Sequence, residues 1–371
     1  MTSHPAPQRQ LRGHRPPRPS DRAALTSEHH AYLAAHLTPR DRWLARVLHE
    51  HRVLTGPQIT QLAFTSPRVA NRRLQLLYRW RVVDRFQPYL TTGSAPMHYV
   101  LDTAGAATLA AEDDLDVSTK TLGYRHDRAI QIAHSLRLAH TIGANGFFTA
   151  LIGIAGHSGP TENSNGDRAV TAWWSEACCA RHFGEHVRPD AYGGWRESHS
   201  GQSSEVEFFL EYDGGTEALT RVAGKLAGYQ RLAAASGIAT PVLIWLPTAA
   251  REDAARRSLS AALGALARPD LVPVATTAAN HPHIGTAPDS PAGPRWLPLT
   301  PTAPSTAPSR PARVRLAGLA AVWPHAAPPT VTGPRDTPAT PRQGSLALLP
   351  PSPMPPPPAL LTGSRPVGAD E

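Results

Sequence analysis

The sequence predicts an α/β protein made of two folded units between two polar tails. Three observations predict it. Between residues 38 and 101, three short helical patterns are followed by two strand patterns. From about residue 169 onward, strand and helix patterns alternate, which implies layered α/β packing. Both ends of the chain are rich in proline and small or polar residues and poor in large apolar ones.

The chain has 371 residues, enough for two ordinary domains with material left over. It carries 37 Lys+Arg against 29 Asp+Glu, a net charge of +8 that favours an anionic partner, nucleic acid first. Nearly all of that positive charge is arginine, because Lys120 and Lys225 are the only lysines. The cysteines, Cys178 and Cys179, are neighbours and build neither a disulfide framework nor a four-ligand zinc site, so a reducing compartment is expected. The N-terminus has no apolar signal region. The apolar stretch at 142–155 is too short and too glycine-rich for a bilayer, so the expectation is a soluble cytoplasmic protein without a membrane partner.

Residues 1–36 read as a disordered basic arm, with Arg9, Arg12, Arg15, Arg18 and Arg22 spaced among prolines. A solvated tail and an arm lying on DNA phosphates are both open for it. Residues 323–371, including the run Pro355 to Pro358, read as a disordered Pro/Ala-rich tail.

The first folded unit spans 37–115. Thr38-Pro39 opens a helix whose buried face holds Trp43, Leu44, Val47 and Leu48. Thr55-Gly56-Pro57 opens a second, with Ile59 and Leu62, and Ser66-Pro67 opens a third that runs to about Trp80. On this third helix Ala70, Leu74 and Leu77 share one face. Arg68, Asn71, Arg72, Gln75 and Arg79 lie on the other, and Arg73 stands beside them. These residue types pair with phosphates and base edges in a major groove, so all six are candidate DNA contacts. Strands at 82–86 and 97–101, joined by a loop, complete the winged helix-turn-helix plan, with 66–80 as recognition helix and 87–96 as wing. A solvated helix face, or a winged helix used for protein contacts, is the rival reading.

The second unit spans 125–322. A helix is expected at 125–150, where His126, His134 and His140 lack partners at metal-ligand spacing and read as structural histidines. Strands are expected at 169–174, 187–192, 206–213, 241–246 and 271–276, and helices at 217–235, capped by Thr216, and 250–264. Side chains alternate along a strand, so Glu211 and Asp213 are expected on one face, with Asp190 alongside from the neighbouring strand. Three such carboxylates suit Mg²⁺ or Mn²⁺, which would activate water and stabilise charge on a scissile phosphate. Lys225 and Tyr229 follow on the next helix, where a compact ammonium can hold a phosphate oxygen. Asp190, Glu211, Asp213 and Lys225 are therefore the candidate catalytic residues, and Glu176 is a further acidic candidate. Solvated turns and a helix-dipole role for Glu217 are the plain alternatives.

Several segments together resemble the replication-relaxation family of actinobacterial plasmids and integrative elements. They are 37–44, Arg68 to Tyr78, 94–101, Trp174-Ser175-Glu176, Arg188-Pro189-Asp190 and 209–217. The resemblance covers roughly residues 37 to 322 and implies a part in plasmid replication and DNA relaxation or transfer. A separate similarity is to PD-(D/E)xK nucleases, which implies a restriction-endonuclease-like sheet in the second unit. There Asp213 stands where that motif carries lysine, and Lys225 is the expected substitute.

The expected partner is double-stranded DNA, alongside other plasmid replication or transfer proteins. Three functions stay open. One is a metal-dependent DNA endonuclease that nicks or cleaves with Mg²⁺. Another is a non-enzymatic replication or transfer accessory factor with a degenerate nuclease fold. The third is a transcriptional regulator, which needs only the first unit.

Overall fold

The chain enters the fold earlier than its composition suggests. The computed structural model describes residues 6–15, 22–90, 92–115, 128–157, 167–199, 202–280, 290–299, 312–326 and 350–356. After a short 3-10 turn at Gln8–Gln10, strand β1 (Arg12–Arg15) pairs antiparallel with a later strand, and helix α1 (Ser27–His36) buries Leu33 completely. Arg22 donates to the carbonyl of Tyr78 at 3.2 Å, pairs with Asp102, and stacks its guanidinium 4.4 Å from the Tyr78 ring centre. The expected disordered arm is therefore corrected for residues 8–15 and 22–36. One arginine of its series is an anchor, and Leu33 is the one fully buried side chain of the helix, which His29 also ties to the Trp80 carbonyl at 2.8 Å. Arg18 lies outside the described residues.

Helix starts follow local chemistry. Helices α2 (Pro39–His51) and α3 (Gly56–Ala63) flank the two-residue strand β2 (Leu54–Thr55). Both begin with capping boxes, Thr38 with Asp41 and Thr55 with Gln58, each contributing about 1 kcal/mol. Helix α4 (Pro67–Arg79) is capped by Ser66 and buries Ala70, Leu74 and Leu77 as its spacing predicts. Strands β3 (Val83–Tyr89) and β4 (His98–Leu101) form an antiparallel hairpin, and helix α5 (Thr103–Glu112) closes the unit. The sheet order is β1-β3-β4-β2, so the N-terminal segment adds a strand to the outer edge of the hairpin.

The helix expected at 125–150 is two helices, α6 (Arg128–Ala133) and α7 (Leu138–His157). At the break the Gln8 side chain donates to the carbonyl of Ser135 and accepts from Ala139 N–H, so an N-terminal amide caps α7. The window Leu138–Gly156 is long and apolar enough to cross a membrane, which corrects the expectation that this stretch is too short. It is 72% buried inside the protein. His126 lies outside the described residues.

The remaining elements are β5 (Arg168–Ser175), α8 (Glu176–Phe183), β6 (Ala191–His199), β7 (Gln202–Tyr212), α9 (Leu219–Ser236), β8 (Val242–Leu246), α10 (Ala249–Gly264), β9 (Val274–Ala278), β10 (Leu297–Leu299) and α11 (Leu319–Val322). They give a mixed sheet of order β10-β9-β8-β7-β6-β5. Strands β5, β6 and β7 are an antiparallel meander, and β7, β8 and β9 run parallel with α9 and α10 as crossovers. The strand expected at 187–192 begins only at Ala191, since Pro189 has no N–H to give a ladder. Thr216 does not cap α9. Arg251 binds the Glu217 carbonyl, Gly215 takes φ 84°, and the helix starts after Ala218.

One hydrophobic cluster runs from Leu44 and Leu74 through Phe147 and Phe148 to Trp195, Phe208 and Trp296, so α7 joins the N-terminal helices to the large sheet. Gly143 makes that approach possible, because a Cβ there would lie 2.2 Å from the Tyr212 ring. Part of the expected disordered tail is also docked. Trp43 Nε1 donates to the Ser352 carbonyl at 2.8 Å, and Met354 packs against the core. Residues 327–349 and 357–371, including Pro357 and Pro358, lie outside the described residues.

Candidate functional site

Asp190 immediately precedes β6. The register pairs Ala191 with Leu210, so one further step sets Asp190 beside Glu211 of β7. Asp190 Oδ2 accepts from Tyr212 N–H at 2.9 Å. Glu211 is 4% exposed, and α9 lies over it. Lys225 and Tyr229, one helical turn apart, both donate to Glu211, the ammonium to Oε2 and the hydroxyl to Oε1. Lys225 Nζ also lies 3.8 Å from Asp190 Oδ1. Asp190, Glu211 and Lys225 therefore meet at one point over the inner strands β6 and β7.

Helix α7 supplies two more groups. His140 Nε2 is 3.1 Å from Asp190 Oδ1, and Arg137 is 3.6 Å from the same oxygen while it also pairs with Glu176. His140, expected to be a structural histidine, has its partner in Asp190, so its ring stands on a candidate catalytic carboxylate. The signal available for it is a polar edge, Arg137, His140 and Thr141, on an otherwise apolar helix.

Asp213 is not brought to this point. Strand β7 ends at Tyr212, so the alternation that relates Glu211 to Asp213 does not continue. Arg251 of α10 grips Asp213 through two nitrogens, the second at 3.0 Å from Oδ1, and Gly215 N–H donates to it at 2.7 Å. Asp213, expected to be catalytic and metal-binding, is the anchor of a turn.

The two carboxylates are pushed apart in acidity. Burial, reinforced by the Asp190 charge, pushes Glu211 up to about 8 against the pull of Lys225 and Tyr229. Asp190, despite its burial, is held below the ordinary carboxylate value by His140, Lys225 and the Tyr212 N–H. Lys225 is raised, its burial outweighed by the two carboxylates. Burial and Glu211 push the Tyr229 hydroxyl well up, so it stays a donor. Burial and mutual repulsion thus make Glu211 the weaker acid of the pair, and its hydrogen-bonded neighbours make Asp190 the stronger.

Among the described residues no group of three or more His, Cys, Asp or Glu side chains is placed to hold a metal ion. Two adjacent carboxylates remain, and they fit the mode in which Mg²⁺ takes one or two carboxylates and completes its shell with water and phosphate. Asp190 also lines a cleft of about 280 Å³ between the end of α2, helix α7 and the sheet edge at β5, with Arg137, His140, Glu176 and Arg188.

On α4, Arg68, Asn71, Arg72 and Arg79 are exposed, as a binding face requires. Arg73 is not free. It binds Asp41 at 2.9 Å and the His36 carbonyl at 3.2 Å, and it lies over Trp80. Gln75 accepts from Arg85 at 2.8 Å. Both were expected at DNA, and both brace α4 against its neighbours.

No curated protein matches the chain, and no solved structure does. The family model described as Replication-relaxation matches residues 46–244, more than half of the chain. That span contains α4, the β3–β4 hairpin, Asp190, Glu211 and Lys225 together, and the chain belongs to the replication-relaxation family.

Proposed function

We propose that this chain is a duplex-DNA-binding protein of plasmid or mobile-element replication and relaxation, which nicks or cleaves DNA with a divalent metal. The observation that carries the reading is the meeting of Asp190, Glu211 and Lys225 over strands β6 and β7. The strand order supports likening this unit to PD-(D/E)xK nucleases, because an antiparallel meander leads into a parallel crossover and the carboxylates lie at the junction. The order α2-β2-α3-α4-β3-β4, with the exposed arginines of α4, supports a winged helix that holds duplex DNA.

In this reading Asp190 and Glu211 would hold the metal, which would supply a Lewis acid at the phosphate and a more acidic bound water. Lys225 gives up its bond to Glu211 and holds a non-bridging phosphate oxygen. Tyr229 keeps Glu211 in place, and His140 fixes the Asp190 carboxylate. Arg137, whose side chain is 54% exposed, stands at the rim for a neighbouring phosphate.

A second reading is a non-enzymatic accessory factor, favoured by the commitment of Asp213 to Arg251 and by the internal neutralisation of Glu211. Incubating supercoiled cognate plasmid with Mg²⁺ or Mn²⁺ separates the two. The wild-type protein converts it to nicked or linear product, and Glu211→Gln binds without converting it. Plasmid left intact under conditions of demonstrated binding selects the accessory role.

A further inference from the structure

The cleft beside Asp190 contains a strained and a buried feature that the carboxylate chemistry does not use. Arg52, the residue after α2, has φ 70° and ψ −47°, and Val53 N–H bonds the His51 carbonyl at 2.8 Å. This is a γ-turn of the strained hand, seldom adopted by a residue with a side chain. Asn145 of α7 holds it from beneath, donating to the carbonyls of His51 and Val53 at 3.1 and 2.9 Å. The arrangement sets the exposed Arg52 side chain at the cleft and turns His51 inward, stacked 3.8 Å from the Trp173 ring centre. His51 is 2% exposed, and neither ring nitrogen has a hydrogen-bond partner among the described residues. Such orphaned polar atoms at the wall of a cavity point to a ligand.

We propose that this cleft receives an unpaired nucleotide of single-stranded DNA, with its phosphates held by Arg52 and Arg188 and its base beside His51 and Trp173. The volume of about 280 Å³ is near the lower end for small-molecule sites. Arg52 and Arg188 are exposed and form no ion pair among the described residues. The buried ring nitrogens of His51 at the cleft wall suit the polar edge of a base, and the two arginines suit its phosphates. Strain retained at a residue whose side chain faces a cavity fits a functional position. Asp190 lines the same cleft, so a strand seated there leads its next phosphate to the carboxylate pair. The inference deepens the nuclease reading and rests on it for the identity of the site.

The test is titration of the full chain, without metal, with a short fluorescently labelled oligothymidine, followed by anisotropy and tryptophan emission. Saturable binding with a change in tryptophan emission is expected. Arg52→Gly relaxes the turn, so its melting temperature should equal or exceed that of the wild type while oligonucleotide affinity falls roughly tenfold. Arg188→Gln should fall similarly, and Arg257→Gln, which removes the same charge from the exposed face of α10, should not. Absence of saturable binding, or equal losses in all three variants, overturns the proposal. So does binding that Arg72→Ala removes and Arg52→Gly leaves intact. Arg52-dependent binding with uncut plasmid sinks only the nuclease reading, whereas plasmid cleavage with Arg52-independent oligonucleotide binding sinks only this one.

Discussion

Lys225 Nζ lies 3.8 Å from Asp190 Oδ1 while the same ammonium donates to Glu211. A single cation from α9 therefore spans two carboxylates, one on β7 and one just before β6, and it is the cation paired with Glu211. Replacing Lys225 by methionine keeps much of the side-chain volume and takes from Glu211 its cation, leaving it only the Tyr229 hydroxyl, while Asp190 keeps His140 and Arg137. Removing one partner of a buried pair costs about 3–5 kcal/mol. Urea unfolding at neutral pH should show that loss as a lower midpoint with an unchanged slope. Cleavage, if the site is catalytic, should fall with it in the folded fraction.

The acidity of Glu211 predicts the sign of a pH effect. Its folded value is about 8, above the ordinary 4.5, so the folded chain binds more protons than the unfolded one between those limits. The contribution of this group is complete below pH 4.5 and is lost as pH rises through 8. Glu211→Gln should flatten that part of the stability curve, and at pH 8 it should equal or exceed the wild type. Asp190 acts in the opposite sense, its contribution being lost as pH falls through its depressed value. A metal on the pair must displace the Glu211 proton, so Mg²⁺ affinity measured by calorimetry should rise up to about pH 8 with proton release.

Neighbouring arginines of α4 should behave differently. Arg68 and Arg72 are exposed, so alanine at either should leave thermal stability within about 0.5 kcal/mol. Each should also lower duplex affinity and reduce the salt slope by about 1. Arg73→Ala strands Asp41, which is 2% exposed and belongs to the capping box of α2, and should cost about 3 kcal/mol. If Arg73→Ala left stability intact and weakened DNA binding alone, the assignment of Arg73 to α4 bracing would be wrong.

What the sequence made legible was local. Thr38, Thr55 and Ser66 each stand directly before a proline or a Gly-Pro pair, and all three cap the helices expected of them. The convergence of Asp190, Glu211 and Lys225 was legible too, because a strand, a tight turn and a helix follow one another without interruption. Long-range partners were not. Arg73 and Asp41 are far apart in sequence, and nothing in the arginine-rich face of α4 marks one member as already paired. His140 reaches Asp190 only because α7 crosses the sheet, which Gly143 permits and composition does not announce. Helix α1 was hidden for the opposite reason, since a polar segment docks mainly through Leu33, Arg22 and long-range contacts such as His29 with the Trp80 carbonyl.

Asp213 offers the sharpest contrast between expectation and geometry. As a metal ligand it would be indispensable to chemistry and of little consequence to folding. Its actual partners are the Arg251 guanidinium and the Gly215 N–H, and it is 3% exposed. Arg251 also holds the Glu217 carbonyl, so this ion pair fixes the turn from which α9 departs and hence the height of Lys225 above the sheet. Asp213→Ala should cost about 3–5 kcal/mol by leaving Arg251 without its partner. Asp213→Asn keeps the Gly215 hydrogen bond and should cost less. In calorimetry the folded Asp213→Asn protein should bind Mg²⁺ with wild-type affinity, whereas Asp190→Asn should not. Loss of metal binding in Asp213→Asn with unchanged stability would return Asp213 to the metal site and require a different course for the chain after Tyr212.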